Sequence, residues 1–414
     1  MFKQKLQSFF PHFRREVWIL AAGRLLSQIG SGFTLFYAPI FFVNQVGFSA
    51  TAVGIALGSS SISGVVGRFL GGAFTDSKFW GRRGTLLLSA AVSALADLVL
   101  ALTYNFPTLV LGNLLMGLGI GLYWPATEAA VADVTTSQER NEAFAITRLA
   151  DSLGLGIGVI LGGALIATSG NYRVLFVIDG ISFVVFFAII YWAIAETYHF
   201  QEQEQSVHQG WVTAFCDQRL ILFVLVNILF TTYMAQIHST MPLYLSNFVS
   251  IKDSTTGLSP TIISSLITWH IALAVLFQLP VARFLSRWSR SRALSFSLLI
   301  WAVGFILVWV TGVASMGHLT WAILALGILA IATVSYTSFA AALVVDLAPE
   351  SMRGVYLAIN SQCWAIGYFV GPSLGGWALD QSPYFIHGFW LTVAASVVVG
   401  ILILQYLDRL LESS

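Results

Sequence analysis

Long apolar stretches recur along the whole chain, and this feature limits the possible folds more than any other. A helix needs about 20 mostly apolar residues to cross the hydrocarbon core of a bilayer. Because only 9% of the residues are charged, against about 25% in soluble proteins, we predict an all-α integral membrane protein with twelve transmembrane helices. The predicted spans cover about residues 17–39, 50–72, 85–104, 108–131, 144–167, 174–195, 219–247, 260–282, 293–312, 319–344, 355–378 and 387–406.

One polar segment divides the predicted spans into two sets of six. It begins with ETYHFQEQEQ at Glu196, whereas most of the other breaks are short turns. We therefore predict two six-helix lobes joined by a cytoplasmic central loop. The predicted boundaries are a tail at 1–16, a first lobe at 17–195, the loop at 196–218, a second lobe at 219–406 and a tail at 407–414.

The basic residues predict how the helices are oriented. With the N-terminus inside, fifteen of the twenty Lys and Arg residues lie in cytoplasmic segments, and only Arg173 and Lys252 lie outside. Cytoplasmic loops carry an excess of Lys and Arg. We therefore predict a multi-pass protein of the inner or plasma membrane with both termini cytoplasmic. The net charge of +1 does not indicate a nucleic-acid partner.

The two halves resemble each other at an offset of 213 residues. This shift aligns Asp133 with Asp346 and Arg140 with Arg353, each in a short loop between two spans. Half-to-half similarity in a protein with six plus six helices is typical of transporters that bind substrate near mid-membrane between the halves. We therefore expect these four residues to be gating partners.

The charged loop GGAFTDSKFWGRRG, between the second and third spans, carries the most specific motif. It resembles the loop signature G-x-x-x-D-(R/K)-x-G-R-R of the major facilitator superfamily, although two extra residues precede the final G-R-R and Ser77 replaces the usual base. The span number, central loop and repeat extend this resemblance over nearly the whole chain. The matching residues are Gly72, Asp76, Gly81, Arg82 and Arg83.

The resemblance implies alternating access, and the loop suggests an inner latch. Asp76 can face the positive N-terminus of a helix from the other half, where a carboxylate is stabilised by about 0.3–1 kcal/mol. Arg82 and Arg83 can pair with acids at nearby helix ends, such as Asp133. The alternative is that these arginines only set topology, which leaves Asp76 and its glycine unexplained.

Glycines recur every four residues in two spans and permit close approach of helix backbones. The eleventh span also reads GYFVGPSLGG, which is similar to the antiporter signature of the superfamily. Structural packing is the simpler interpretation of both rows. The glycines are Gly154, Gly158 and Gly162 in the fifth span and Gly367, Gly371 and Gly375 in the eleventh.

Polar residues inside the spans predict where substrate or protons bind, because each intramembrane charge costs about 2.5–3.5 kcal/mol on insertion scales. Arg148 and Asp151 are three residues apart and can pair within one helix; a structural ion cluster with Glu128 is the alternative. Asp179 is interpreted as a polar tie to a neighbouring helix. The candidate cavity residues are Arg24, Gln28, Asp97, Asn113, Glu128, Arg148, Asp151, Asn227, Gln236, Trp269, His270, Asn360 and Gln362.

The chain is thus predicted to be a secondary active transporter, resembling the drug:proton antiporter branch of the superfamily. We expect proton-coupled export of a small amphipathic or drug-like compound by a monomer, with no cofactor and no metal. Asn113 stands where many proton-driven exporters carry an arginine. The alternatives are an uptake symporter for a small polar solute and a lipid flippase. A membrane sensor or embedded enzyme is less favoured, because the sequence shows no catalytic spacing.

Overall fold

The computed structural model describes residues 14–136, 140–196, 214–249, 257–349 and 353–412. Within these ranges the chain forms fourteen helices of seven or more residues. The first half contains α1 (Arg15–Leu35), α2 (Ala38–Asn44), α3 (Ala50–Thr75), α4 (Gly81–Ala101), α5 (Phe106–Asp133), α6 (Arg140–Ser169) and α7 (Arg173–Ala193). The second half contains α8 (Gln218–His238), α9 (Thr240–Phe248), α10 (Pro260–Leu285), α11 (Arg290–Val313), α12 (His318–Leu347), α13 (Arg353–Leu379) and α14 (Pro383–Glu412).

Most of the helices are long enough to cross a bilayer. Among the described residues, eleven segments are both long and apolar enough to do so. The twelfth, α13, has 27 residues, or about 40 Å at 1.5 Å per residue, but Asn360, Ser361 and Gln362 lower its hydropathy. The predicted all-α membrane fold is confirmed.

The first and seventh predicted spans are each interrupted, although the sequence analysis treated both as continuous. α1 ends at Leu35, four residues before Pro39, and α8 ends at His238, four residues before Pro242. A proline ring clashes with the carbonyl group four residues earlier and lacks the N–H that would bond to it. Both breaks therefore occur where a proline removes the next helical hydrogen bond.

The first compact unit, termed unit 1, contains the described residues of Met1–Thr34, Ser63–Gly162 and Asn171–Glu202. Buried side chains of α1, α4, α5 and α7 form its core, with Tyr123 packed edge-to-face against Phe186. A Cβ atom at Gly158 would overlap the Ile29 carbonyl oxygen. Gly158, which lies in α6 and in the fifth predicted span, therefore lets the backbones of α1 and α6 touch.

The second compact unit, termed unit 2, contains the described residues of Leu35–Ile62, Gly163–Gly170 and Gln203–Ser414. Stacked aromatic rings lie in its core, where the ring centroids of Phe305 and Trp390 are 6.0 Å apart. Two pieces of the first half thus pack together with the second half. The predicted lobes follow the sequence repeat, which is a different division of the chain and remains a prediction.

Glycines also bring α3 and α13 together inside unit 2. A Cβ atom at Gly54 would overlap the Pro372 carbonyl oxygen, and one at Gly376 would overlap the Ala50 carbonyl oxygen. The two helices therefore cross with their backbones in contact, which only small residues permit.

Candidate functional site

The Arg82 cluster joins three parts of unit 1. The Arg82 Nε atom donates to Asp133 at 2.9 Å, and Nη1 donates to Asp76 at 3.0 Å and to the Thr75 carbonyl oxygen at 2.7 Å. The Asp76 side chain is 73% exposed and that of Asp133 26%. One guanidinium group therefore ties the start of α4 to the ends of α3 and α5.

Glu196 caps the N-terminus of α4. Its carboxylate accepts the backbone N–H groups of Arg82 at 2.9 Å and Arg83 at 3.1 Å, which have no partner within the helix. Gly81 precedes them at φ +60°, and a Cβ atom there would overlap the Glu196 carboxylate. The Arg83 side chain donates to the Tyr191 carbonyl oxygen at 2.6 Å. The sequence analysis missed Glu196, although an isolated acid directly after a span was a visible signal.

A comparable ion pair lies in unit 2. Asp346, which the 213-residue offset aligns with Asp133, pairs with Arg290 at the start of α11. The sequence analysis did not identify Arg290 as a partner of Asp346. The side chains of Arg140 and Arg353 lie outside the described part of the structure. Gly72, the first glycine of the predicted loop motif, faces open space, since a Cβ atom there would meet nothing within 4 Å.

A buried ion pair links α1 to α6. The Arg24 side chain, 3% exposed, donates Nε to Asp151 Oδ1 at 2.9 Å and Nη2 to the second carboxylate oxygen. The guanidinium also lies 5.1 Å from the centroid of the Trp124 ring. Such bidentate pairs fix orientation as well as charge. Arg24 thus binds the carboxylate that the sequence placed within reach of Arg148, whose side chain is not among those described.

Two further aspartates are buried in unit 1. Asp179 on α7 accepts hydrogen bonds from Thr34 at 3.0 Å and Ser182 at 3.4 Å, as expected of a polar tie. Asp97 on α4 has no exposed surface, and neither of its carboxylate oxygens has a hydrogen-bond partner among the described residues. A buried polar group without a partner is costly, so Asp97 calls for an explanation.

Three helices of unit 2 contribute to a buried amide cluster. The Tyr336 hydroxyl donates to Asn227 Oδ1 at 2.6 Å, and Asn227 Nδ2 donates to Asn360 Oδ1 at 2.7 Å. Gln236 donates to the Gly371 carbonyl oxygen at 3.0 Å. Asn227 and Asn360, predicted separately from the sequence, therefore meet across α8 and α13.

The remaining candidate residues are bound to backbone or stand apart from these clusters. Asn113 donates to the Leu109 carbonyl oxygen at 2.9 Å, and Trp269 to that of Ile323 at 3.2 Å. His270 Nδ1 lies 3.0 Å from the Leu326 carbonyl oxygen. These bonds tie the three side chains into helix packing. Gln28 and Gln362 are half-buried and Glu128 is exposed.

An acidic cap in unit 2 was not identified from the sequence. The Asp380 carboxylate, just after α13, accepts the backbone N–H groups of Ala50 at 2.9 Å and Thr51 at 2.7 Å. Asn44 and Asn247 exchange amide hydrogen bonds of 2.7 and 2.8 Å. First-half and second-half segments are thus linked by polar contacts.

Over the described ranges, no group of three or more His, Cys, Asp or Glu side chains is placed to hold a metal ion.

Comparison with known proteins relates the chain to one family. The family profile described as Major Facilitator Superfamily matches residues 20–252 and again 245–412. A Na⁺, Li⁺, K⁺/H⁺ antiporter of Planococcus maritimus is 24% identical, covering 88% of each chain. Multidrug resistance protein MdtH of Yersinia enterocolitica is 23% identical, covering 96% of each chain.

Solved structures show the same fold. The nucleoside transporter NupG aligns with a TM-score of 0.79 and 15% identity, covering 96% of this chain and all of that one. The peptide transporter POT in complex with sulfate aligns with a TM-score of 0.77 and 14% identity, covering 97% of this chain and 95% of that one.

Proposed function

The chain belongs to the Major Facilitator Superfamily and is a transporter, and from this premise we propose that it exports small amphipathic or drug-like compounds in exchange for protons. The relatives named multidrug resistance protein and cation/proton antiporter support this proposal. The nucleoside and peptide transporters of similar fold make an uptake symporter the alternative outcome of the test.

The Arg24–Asp151 pair carries the proposal. Ionised side chains within a membrane span face the bundle interior or a water-filled cavity and mark substrate or ion pathways. Here Trp124 lies against the guanidinium, so charge and an aromatic face occur together. An aromatic ring beside a carboxylate suits a ligand with an apolar body and a positive group. We therefore place the cargo site next to Arg24, Asp151 and Trp124.

Two gates would give alternating access. The Asp380 cap and the α3–α13 glycine contacts form the proposed outer gate. The positive-inside rule puts the loop before α3 and the loop after α13 outside. Gly72, Asp76, Arg82 and Asp133 form the proposed inner latch, which would engage the other half when the outer gate opens. Arg140, Asp346 and Arg353 are proposed to serve the same inner end.

Reconstituted protein tests the transport reaction. The purified chain in liposomes, with an imposed pH gradient and a lumenal pH dye, receives lipophilic cations, sugars or lysolipids one class at a time. We expect lipophilic cations to move protons in the direction opposite to the cargo, and protein-free liposomes to stay silent. Proton and cargo flux in the same direction would make it a symporter, and radiolabel flux without proton movement would make it an uncoupled carrier or flippase.

A further inference from the structure

The Asp97 carboxyl group, which has no hydrogen-bond partner among the described residues, lies where three helices of unit 1 meet. The Cβ atom of Asp97 is 3.3 Å from the position that a Cβ on Gly180 would occupy, so α4 and α7 touch directly beside Asp179. A Cβ atom at Gly30 would overlap the Asp179 carboxylate, so a glycine on α1 makes room for that group. The two carboxyl groups also interact electrostatically.

Among the side chains that the structure describes, few near Asp97 and Asp179 could balance a negative charge. On α5, Gly112 lies against Leu100 and Gly119 against Ser93, so the segment facing Asp97 is 112–119, which has no charged residue. On α1, Arg24 is bound to Asp151, and on α7 the Arg173 guanidinium is bound to the backbone carbonyl oxygens of Ala101, the last residue of α4, and Thr103. The other charged side chains of α1 and α4 are Arg15, Glu16, Arg82 and Arg83, all in the first turn of their helices.

These placements point to a specific ligand. An isolated, buried carboxylate ion is far more costly than the neutral acid, and two neighbouring carboxylates do not readily ionise together. We propose that Asp97 and Asp179 form the proton site of the exchange reaction, with the proton held on the Asp97 carboxyl group in this conformation. In the other conformation the proton leaves Asp97 for water, and the carboxylate left behind then takes up a proton from the opposite side, which restores the neutral acid.

Helix α1 supplies the connection to conformational change. Thr34, which donates to Asp179, is the last residue of unit 1 before the chain enters unit 2 at Leu35. A displacement of α1 at this point would remove a hydrogen bond from Asp179 and alter the charge that Asp97 faces. This inference rests on the proposed proton exchange and assigns it a site away from the Arg24–Asp151 pair.

Infrared difference spectroscopy tests the site without any cargo. The full chain in liposomes is titrated with pH, and the carbonyl-stretch band of a protonated carboxylic acid is followed. We expect this band at neutral pH in the wild type, its loss in Asp97→Asn and a frequency shift in Asp179→Asn. Asp408→Asn, which alters a carboxylate bonded to Ser291, is the matched control and should leave the band unchanged.

Several outcomes would overturn the assignment. The first is an unchanged band in Asp97→Asn. If Asp97→Asn does not fold, an unshifted band in folded Asp179→Asn would count equally against the assignment. The third is loss of the band when sodium chloride replaces choline chloride, which would indicate a sodium site. Cargo-driven proton movement should fall more than tenfold in Asp97→Asn. If it persists there, the exchange reaction stands and this site fails; if the band titrates but no cargo moves protons, the exchange reaction fails and the site stands.

Discussion

Asp380 caps the helix that begins next to Thr51, although 329 residues separate them in sequence. Its carboxylate accepts the Thr51 backbone N–H group at 2.7 Å and the Thr51 hydroxyl at 2.5 Å. A carboxylate at a helix N-terminus satisfies unpaired N–H groups and interacts favourably with the helix dipole. The end of α13 is therefore joined to the start of α3 by charge as well as by glycine contacts.

Replacing this carboxylate should loosen the start of α3. Loss of an N-terminal cap costs about 0.5–2 kcal/mol, so in Asp380→Ala we expect the amides of residues 50–53 to exchange about 2- to 30-fold faster. Hydrogen exchange of the protein in detergent measures this directly. Asp408→Ala is the control and should not affect these amides. Unchanged exchange in Asp380→Ala would show that the cap does not hold α3 in place.

The inner latch predicts different effects for the two acids that bind Arg82. Asp76→Asn should abolish transport while leaving membrane insertion and stability nearly unchanged, because an exposed ion pair contributes about 0–1 kcal/mol. Asp133→Asn should lower thermal stability more, since this carboxylate is less exposed. Liposome transport and thermal unfolding measure the two effects separately. Full transport by Asp76→Asn would remove the latch hypothesis.

The Arg24–Asp151 pair can be tested for a structural or a functional role. Arg24→Met leaves a largely buried carboxylate unpaired and should cost about 3–5 kcal/mol, whereas the double variant Arg24→Met with Asp151→Leu should recover most of that stability. We expect neither variant to transport. Thermal unfolding compared with cargo flux separates the two roles. Transport by the double variant would show that the pair has only a structural role.

Gly72 provides a test for a second conformation. In this structure a Cβ atom at Gly72 meets nothing, and alanine in a helix is favoured over glycine by about 0.5–1 kcal/mol. Gly72→Ala should therefore raise thermal stability but lower the transport rate, because the proposed latch brings this face against another helix. Thermal unfolding and liposome flux are the measurements. Wild-type transport in a stabilised Gly72→Ala protein would argue against that close approach.

Much of the fold follows directly from local sequence. The apolar spans must be helical in a membrane because every backbone polar group has to be satisfied within the segment, and Asn105 and Ser259 begin helices by accepting backbone N–H groups. The recurring glycines indicated close helix contacts, which the structure has at Gly158 and Gly371. The break after His238 was also encoded, since Pro242 follows four residues later.

The partners of the buried and capping side chains were decided only by the tertiary structure. The sequence placed Asp151 within reach of Arg148 in its own helix, and only the structure shows that Asp151 binds Arg24, which lies 127 residues away. Asp380 and Glu196 each follow a span, but the helix that each one caps could not be identified from the sequence, because that helix comes from a distant segment. Periodicity, charge and proline spacing act within one or two helical turns, so the sequence by itself determined the helices and their membrane character. Which charge faces which depends on how the helices pack, and only the tertiary structure specifies that.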